Sequence, residues 1–156
     1  MIADVPNFNT FAVSNSKNSN FKTSAHPIAM ADFEGHDKSA RIFCTRIRDD
    51  LAEGANFNGH YSFITFGYRT SCVMSYITDS RTGKVFEPPF GAESTPELAI
   101  EFKLDSNLIQ VVHMGDTSEE CEVRAWSFDA KSFKLEGKDS FAREGSCNYE
   151  QKLISK

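Results

Sequence analysis

The stretch His60-Tyr61-Ser62-Phe63-Ile64-Thr65-Phe66-Gly67-Tyr68, followed after Arg69-Thr70-Ser71 by Cys72-Val73-Met74-Ser75-Tyr76-Ile77-Thr78, decides the fold class. Both runs are dense in aromatic and β-branched residues, which suit a pleated surface, and the three residues between them are a hairpin-length connection. Working outward, Asp79-Ser80-Arg81-Thr82-Gly83-Lys84 reads as a turn into a short Val85-Phe86-Glu87 strand that Pro88-Pro89 stops. Leu98–Leu104 and Leu108–His113 flank the tight-turn composition Asp105-Ser106-Asn107, and Cys121–Phe128 and Phe133–Glu136 flank Asp129-Ala130-Lys131-Ser132. Upstream, the period changes. Ala40, Phe43, Ile47 and Leu51 recur at helical spacing from Asp37 to Glu53, with Asp37 placed as an N-cap and Gly54 placed to end the helix left-handed. The expected fold is therefore α+β: one amphipathic helix at 37–53 packed on an antiparallel meander of six or seven strands.

The expected organisation is an extended or loosely structured lead-in over 1–35 and a single domain over 36–156. In the lead-in, Phe8, Phe11, Val13 and Phe21 are spaced to pin flanking pieces onto the body. A chain of 156 residues can build a core without cross-links, so its four cysteines carry information. The charge is −5, with 17 Lys+Arg against 22 Asp+Glu and no basic cluster, which argues against nucleic acid or an anionic membrane as partner. No run of 18 apolar residues predicts membrane insertion. Nothing in the sequence sets an oligomeric state.

Cys44, Cys72, Cys121 and Cys147 are dispersed and lack C-x-x-C spacing. An even, scattered set suits two disulfides and an exported protein, periplasmic or secreted, whose signal peptide has been removed; four buried thiols in a cytoplasmic protein is the competing reading. Cys44–Cys147 and Cys72–Cys121 are the first choice among three connectivities: the helix would hold the tail, and two strand starts would meet across the sheet.

For chemistry, His60 is the candidate general base and Asp79 its orienter, with Cys72 or Ser71 as nucleophile. Strand geometry opposes that triad, because Cys72 would stand six to eight residues up the hairpin, over 20 Å away at about 3.3 Å per residue. Asn58-Gly59 reads more simply as a positive-φ turn that launches the strand. His26, His36, His60 and His113 are isolated, and Asp116, Glu119 and Glu120 lack the alternation of a calcium loop, so no metal or other cofactor is expected. Two loops read as recognition surface: Tyr68, Arg69 and Thr70 at the hairpin tip, and the acidic loop with Asp116, Glu119 and Glu120, suited to a basic protein partner.

Asn56-Phe57-Asn58-Gly59-His60-Tyr61, Gly67-Tyr68-Arg69-Thr70-Ser71-Cys72 and Ile77-Thr78-Asp79 with Thr82-Gly83-Lys84-Val85-Phe86 together resemble a group of small, mostly exported bacterial proteins of uncharacterised function. Those proteins carry N-F-x-G-H-Y, G-C-G-x-x-C and I-V-D…T-G-K-V-Y. Tyr68 and Arg69 stand where that pattern has Cys and Gly, so no disulfide can close within the turn. The resemblance spans about residues 40–136 and implies an exported compartment rather than an activity. By class association it points to a non-enzymatic binding protein, an inhibitor or immunity protein that neutralises a toxin or wall-degrading enzyme through the 68–71 and 115–120 loops. A hydrolase-like enzyme centred on His60, and a small-ligand module on the phenylalanine-rich sheet face, are the alternatives.

Overall fold

The computed structural model describes residues 5–11, 38–67, 73–91 and 95–147, without the side chains of 38–40. Its strands are β1 (Tyr61–Gly67), β2 (Val73–Asp79), β3 (Val85–Phe86), β4 (Ala99–Phe102), β5 (Leu108–Met114), β6 (Glu120–Phe128) and β7 (Phe133–Ala142), and its α-helix is α1 (Cys44–Glu53). The class is α+β, but the strands form two antiparallel sheets, β1-β2-β3 and β4-β5-β6-β7, rather than one meander. Proline explains where the first sheet stops. Only Ile77↔Phe86 and Thr78↔Val85 pair β2 with β3, and Pro88 and Pro89 have no N–H with which to extend the ladder.

The two sheets pack face to face, and α1 covers the other side of the first. Alternation along β1 assigns the layers: Tyr61 and Phe63 face the second sheet, whereas Ile64 and Phe66 face the helix. Between the sheets, Phe57 is fully buried and its ring meets Phe63 edge-on at 5.5 Å, Phe102 edge-on at 6.2 Å and Phe128 at 6.2 Å. Phe63 in turn stacks on Phe102 at 4.5 Å. The phenylalanine-rich faces thus fill one another.

Under α1, Ile47 and Leu51 are fully buried against Ile64, Phe66 and Tyr76, with Phe43 alongside, as the stripe predicts. The helix is shorter than the expected 37–53, because Lys38–Phe43 is a 3-10 turn. The spacing of three from Ala40 to Phe43 suits that tighter coil, and the spacing of four through Ile47 and Leu51 suits the α-helix. Asp37 lies outside the described residues. Gly54 ends the helix at φ +100°, ψ 179°, a glycine conformation but not the left-handed helical one expected.

β7 runs to Ala142, well past the expected Glu136. Gly137, Lys138, Asp139 and Ser140 are polar because this is an edge strand, half-exposed along its length, and a bulge between Ala125 and Trp126 accommodates Glu136. On the face of the second sheet turned toward the first, buried Glu122 pairs with Arg124 and, at 3.4 Å, with Lys138. Burial alone would raise the Glu122 carboxyl, but those two cations and His113 outweigh it and hold the group below its ordinary value.

The outer face of the second sheet is also covered. Phe8 and Phe11, in a 3-10 turn at Phe8–Phe11, pack with Leu108 and Ala125, and Gln110 Nε2 donates to the Pro6 carbonyl at 2.7 Å. Further along, Cys121 and Cys147 join with Val112 and Val123 around them. This bridge replaces both expected pairings. Cys44 sits on α1, outside the first sheet, and Cys147 sits outside the second, so two sheets separate them; Cys44 is a free, half-buried thiol. Cys121 faces Phe141 across the ladder, and the chain after Ala142 folds back at Gly145, φ +134°, to return Cys147 to it. Cys72 lies outside the described residues.

Candidate functional site

Two corners of the molecule hold the residues singled out in the sequence. The first is built by Asn56–Tyr61 and Asp79–Lys84. Asn58 and Gly59 both have positive φ, 46° and 84°, so the expected turn forms, and Phe57 pairs with Tyr61 to close it. The Asn56 side chain then serves as an extra strand residue: its amide donates to the Phe63 carbonyl at 3.1 Å and its oxygen accepts from the Phe63 N–H at 2.7 Å. Opposite, Asp79 Oδ1 accepts from the Arg81 N–H, Gly83 N–H donates to the Asp79 carbonyl, and Gly83 takes φ +77°. Asn56, Phe57, Gly59, Asp79 and Gly83 therefore all have architectural work in two tight turns and the core, and Thr82 Oγ1 accepts from the Lys84 N–H at 3.2 Å.

These turns bring His60 and Asp79 together, with Nε2 3.7 Å from Oδ1 and side chains about one fifth and one sixth exposed. The imidazole also packs on the Tyr61 ring at 4.2 Å. Burial first, and then the Arg81 charge, lower the His60 pKa from its ordinary 6.5, against the opposing pull of Asp79. A neutral imidazole beside a carboxylate can accept a proton, but the hydroxyl of neighbouring Ser80 is engaged elsewhere: Ser80 Oγ donates to the His60 carbonyl at 2.5 Å. Ser71 and Cys72, the expected nucleophiles, lie outside the described residues.

The lowered His60 pKa has a measurable consequence. As pH falls through 6.5 the unfolded chain takes up this proton before the folded one does, so stability is expected to decline from neutrality toward the folded-state value. In His60→Gln that slope should flatten, as read by melting temperature across pH 5 to 8. An unchanged slope would mean that the folded imidazole titrates normally.

The second corner is the acidic loop between β5 and β6. Asp116 and Glu119 are exposed there, while Glu120 is half-buried with its Cγ where a methyl on Gly115 would sit, at 2.7 Å. The loop is held from inside. Gly115 N–H donates to the Glu120 carbonyl at 3.0 Å, and Arg143 clasps the other side: its N–H bonds the Glu119 carbonyl at 2.9 Å and its Nη1 the Ser118 carbonyl at 3.0 Å. Arg143 Nη2 also pairs with Glu97 at 2.5 Å, its Nε donates to the Gly145 carbonyl, and Glu97 accepts from the Cys147 N–H at 3.0 Å. The disulfide begins one residue past the loop. Arg143 and Glu97 went unrecognised in the sequence, since a lone arginine in a polar tail and a glutamate after a proline carry no pattern. Tyr68, Arg69 and Thr70 lie outside the described residues.

No family model, curated protein or solved structure matches this chain.

Among the described residues no three His, Cys, Asp or Glu gather closely enough to hold a metal ion, and no helix is long and apolar enough to cross a membrane. The Arg143 guanidinium is engaged by Glu97 and by the Ser118 and Gly145 carbonyls, whereas Asp116 and Glu119 are exposed. That arrangement presents fixed negative charge to whatever approaches.

Proposed function

We propose that this protein is a non-enzymatic, exported bacterial binding protein, an inhibitor or immunity protein that neutralises a toxin or wall-degrading enzyme by presenting its acidic loop to a basic surface. The observation that carries this reading is the Arg143 clasp on the Ser118 and Glu119 carbonyls. A loop fixed before binding has less conformational entropy to lose on binding, and outward carboxylates on a chain of charge −5 speed encounter with a cation-rich partner. The buried Cys121–Cys147 bridge supports an oxidising compartment. Tyr68, Arg69 and Thr70, which lie outside the described residues, are proposed from the sequence as a second recognition segment.

Asp116→Lys with Glu119→Lys tests it. Both positions are exposed, so the melting temperature should hold, while association with the partner captured from exported proteins should slow about tenfold or more at low salt. Equal association rates for the variant and the parent protein would sink the acidic-loop reading.

The 3.7 Å approach of His60 to Asp79 favours one competing reading, a hydrolase-like centre at the first corner. It requires a nucleophile or a bound water within reach of Nε2. An activity abolished by His60→Ala and retained by the charge-reversed loop would establish it.

A further inference from the structure

Beyond β3 the chain runs on beside β2 without pairing to it, because Pro88 and Pro89 interrupt the donors. It returns to the strand only at Gly91, where φ is +122° and a Cβ would lie 3.1 Å from the Val73 carbonyl oxygen; the Gly91 N–H is spent on Thr95 Oγ1 at 2.7 Å. Between these points a half-open hollow of about 230 Å³ remains over Met74 and Ser75, walled by Pro88, Pro89 and Phe90, with Glu87 at its side.

The lining is chemically uneven. Met74, the two proline rings and Phe90 are apolar, and among the described lining residues Glu87 is the single ionisable group. Its carboxylate is exposed and makes no ion pair or hydrogen bond among the described residues, yet its charge reaches the apolar side of the strand: burial first, and then Glu87, raise the Tyr76 hydroxyl. Ser75, only 3% exposed, forms part of the floor, with its hydroxyl shut off from solvent.

An apolar trough with one unpaired, exposed carboxylate suits an occupant with an aliphatic stem and a cationic head. A neutral apolar side chain would strip water from Glu87 and return nothing, and an acidic one would be repelled. Arginine meets the requirement better than lysine, since its planar guanidinium pairs with a carboxylate through two parallel bonds and lies flat on ring faces. We infer that this hollow receives an arginine side chain displayed by a basic protein partner, an assignment that rests on the binding-protein reading above and adds a second, separate anchor to it.

The test needs no partner. Nα-acetyl-arginine amide is titrated into the full chain while the Met74 methyl and Gly91 amide signals are followed by NMR, with Met74→Leu assigning the methyl. The expected result is a saturable shift of both signals, at least fivefold weaker binding in Glu87→Gln, and at least tenfold weaker binding of Nα-acetyl-norleucine amide, which keeps the stem and lacks the charge. Glu87 is exposed, so its variant should fold normally. Non-saturable shifts, equal binding of the norleucine probe, or an unaffected Glu87→Gln would overturn the assignment. Asp116→Lys with Glu119→Lys should leave this titration unchanged, so the hollow and the acidic loop fail independently.

Discussion

Phe57→Ala is expected to destabilise the protein by about 4 kcal/mol, the range for emptying a fully buried aromatic site. The ring has no exposed surface and touches Phe63, Phe102 and Phe128, which come from both sheets. Deleting it removes the transfer energy of one side chain and opens a void that neither sheet can close alone, because each is held by its own hydrogen-bond ladder. For a chain of this size the melting temperature should fall by about 10 °C. Phe57→Leu, which keeps most of the volume, should cost clearly less. Equal losses for the two variants would mean that edge-on ring geometry rather than filled volume holds the sheets together. Either variant leaves the His60 and Asp79 side chains in place, so an effect there would report on their scaffold.

Cys121→Ala with Cys147→Ala is expected to cost about 3.5 kcal/mol, from the chain entropy released when a cross-link over a separation of 26 residues is removed. Both residues are completely buried, and alanine at each leaves a small apolar gap that adds to the loss. The effect should be local as well as global. Without the bridge, the Cys147 N–H is freed from Glu97, and Glu97 is the carboxylate that fixes Arg143. Hydrogen exchange at the Gly115 and Arg143 amides should therefore accelerate more than exchange at the β1 amides. A denaturant midpoint unchanged from the parent protein would show that the tail is held by packing alone.

The parts of this fold legible in the sequence are those that local chemistry dictates. The β1 and β2 runs have aromatic residues on both parities because β1 is buried on two sides, by the helix and by the second sheet, and the Asn58-Gly59 pair announced its own turn. The division into two sheets is not legible as such: Pro88-Pro89 marks the end of a strand, and nothing local says that the strands after it belong to another layer. β7 was cut short for a related reason. An edge strand needs no hydrophobic alternation, and Lys134, Lys138 and Gly137 resemble loop residues while serving to defend an open edge. Disulfide connectivity depends on which side of which sheet a cysteine occupies, and the spacing of four cysteines does not encode that.

The candidate sites divide in the same way. Asp116, Glu119 and Glu120 were visible by composition, and His60 and Asp79 were visible as a pair that a hairpin and a turn bring together. The device that stiffens the acidic loop was hidden, because Arg143 reaches it from a different strand and draws its second carboxylate, Glu97, from a third segment. In the segment Asn56–Tyr61 the opposite held. Its conspicuous motif is accounted for by turn geometry, a strand-extending asparagine and a core phenylalanine, beside which the His60 imidazole meets the Asp79 carboxylate.

The most direct test sets the two corners against each other in one capture experiment. The parent protein, His60→Ala and the Asp116→Lys, Glu119→Lys variant are immobilised in parallel, exposed to the exported proteins of the source cell, and the captured protein is quantified by mass spectrometry. The account predicts that His60→Ala retains a basic partner as the parent does and that the charge-reversed loop loses it. Loss with His60→Ala and retention by the charge-reversed loop would contradict it.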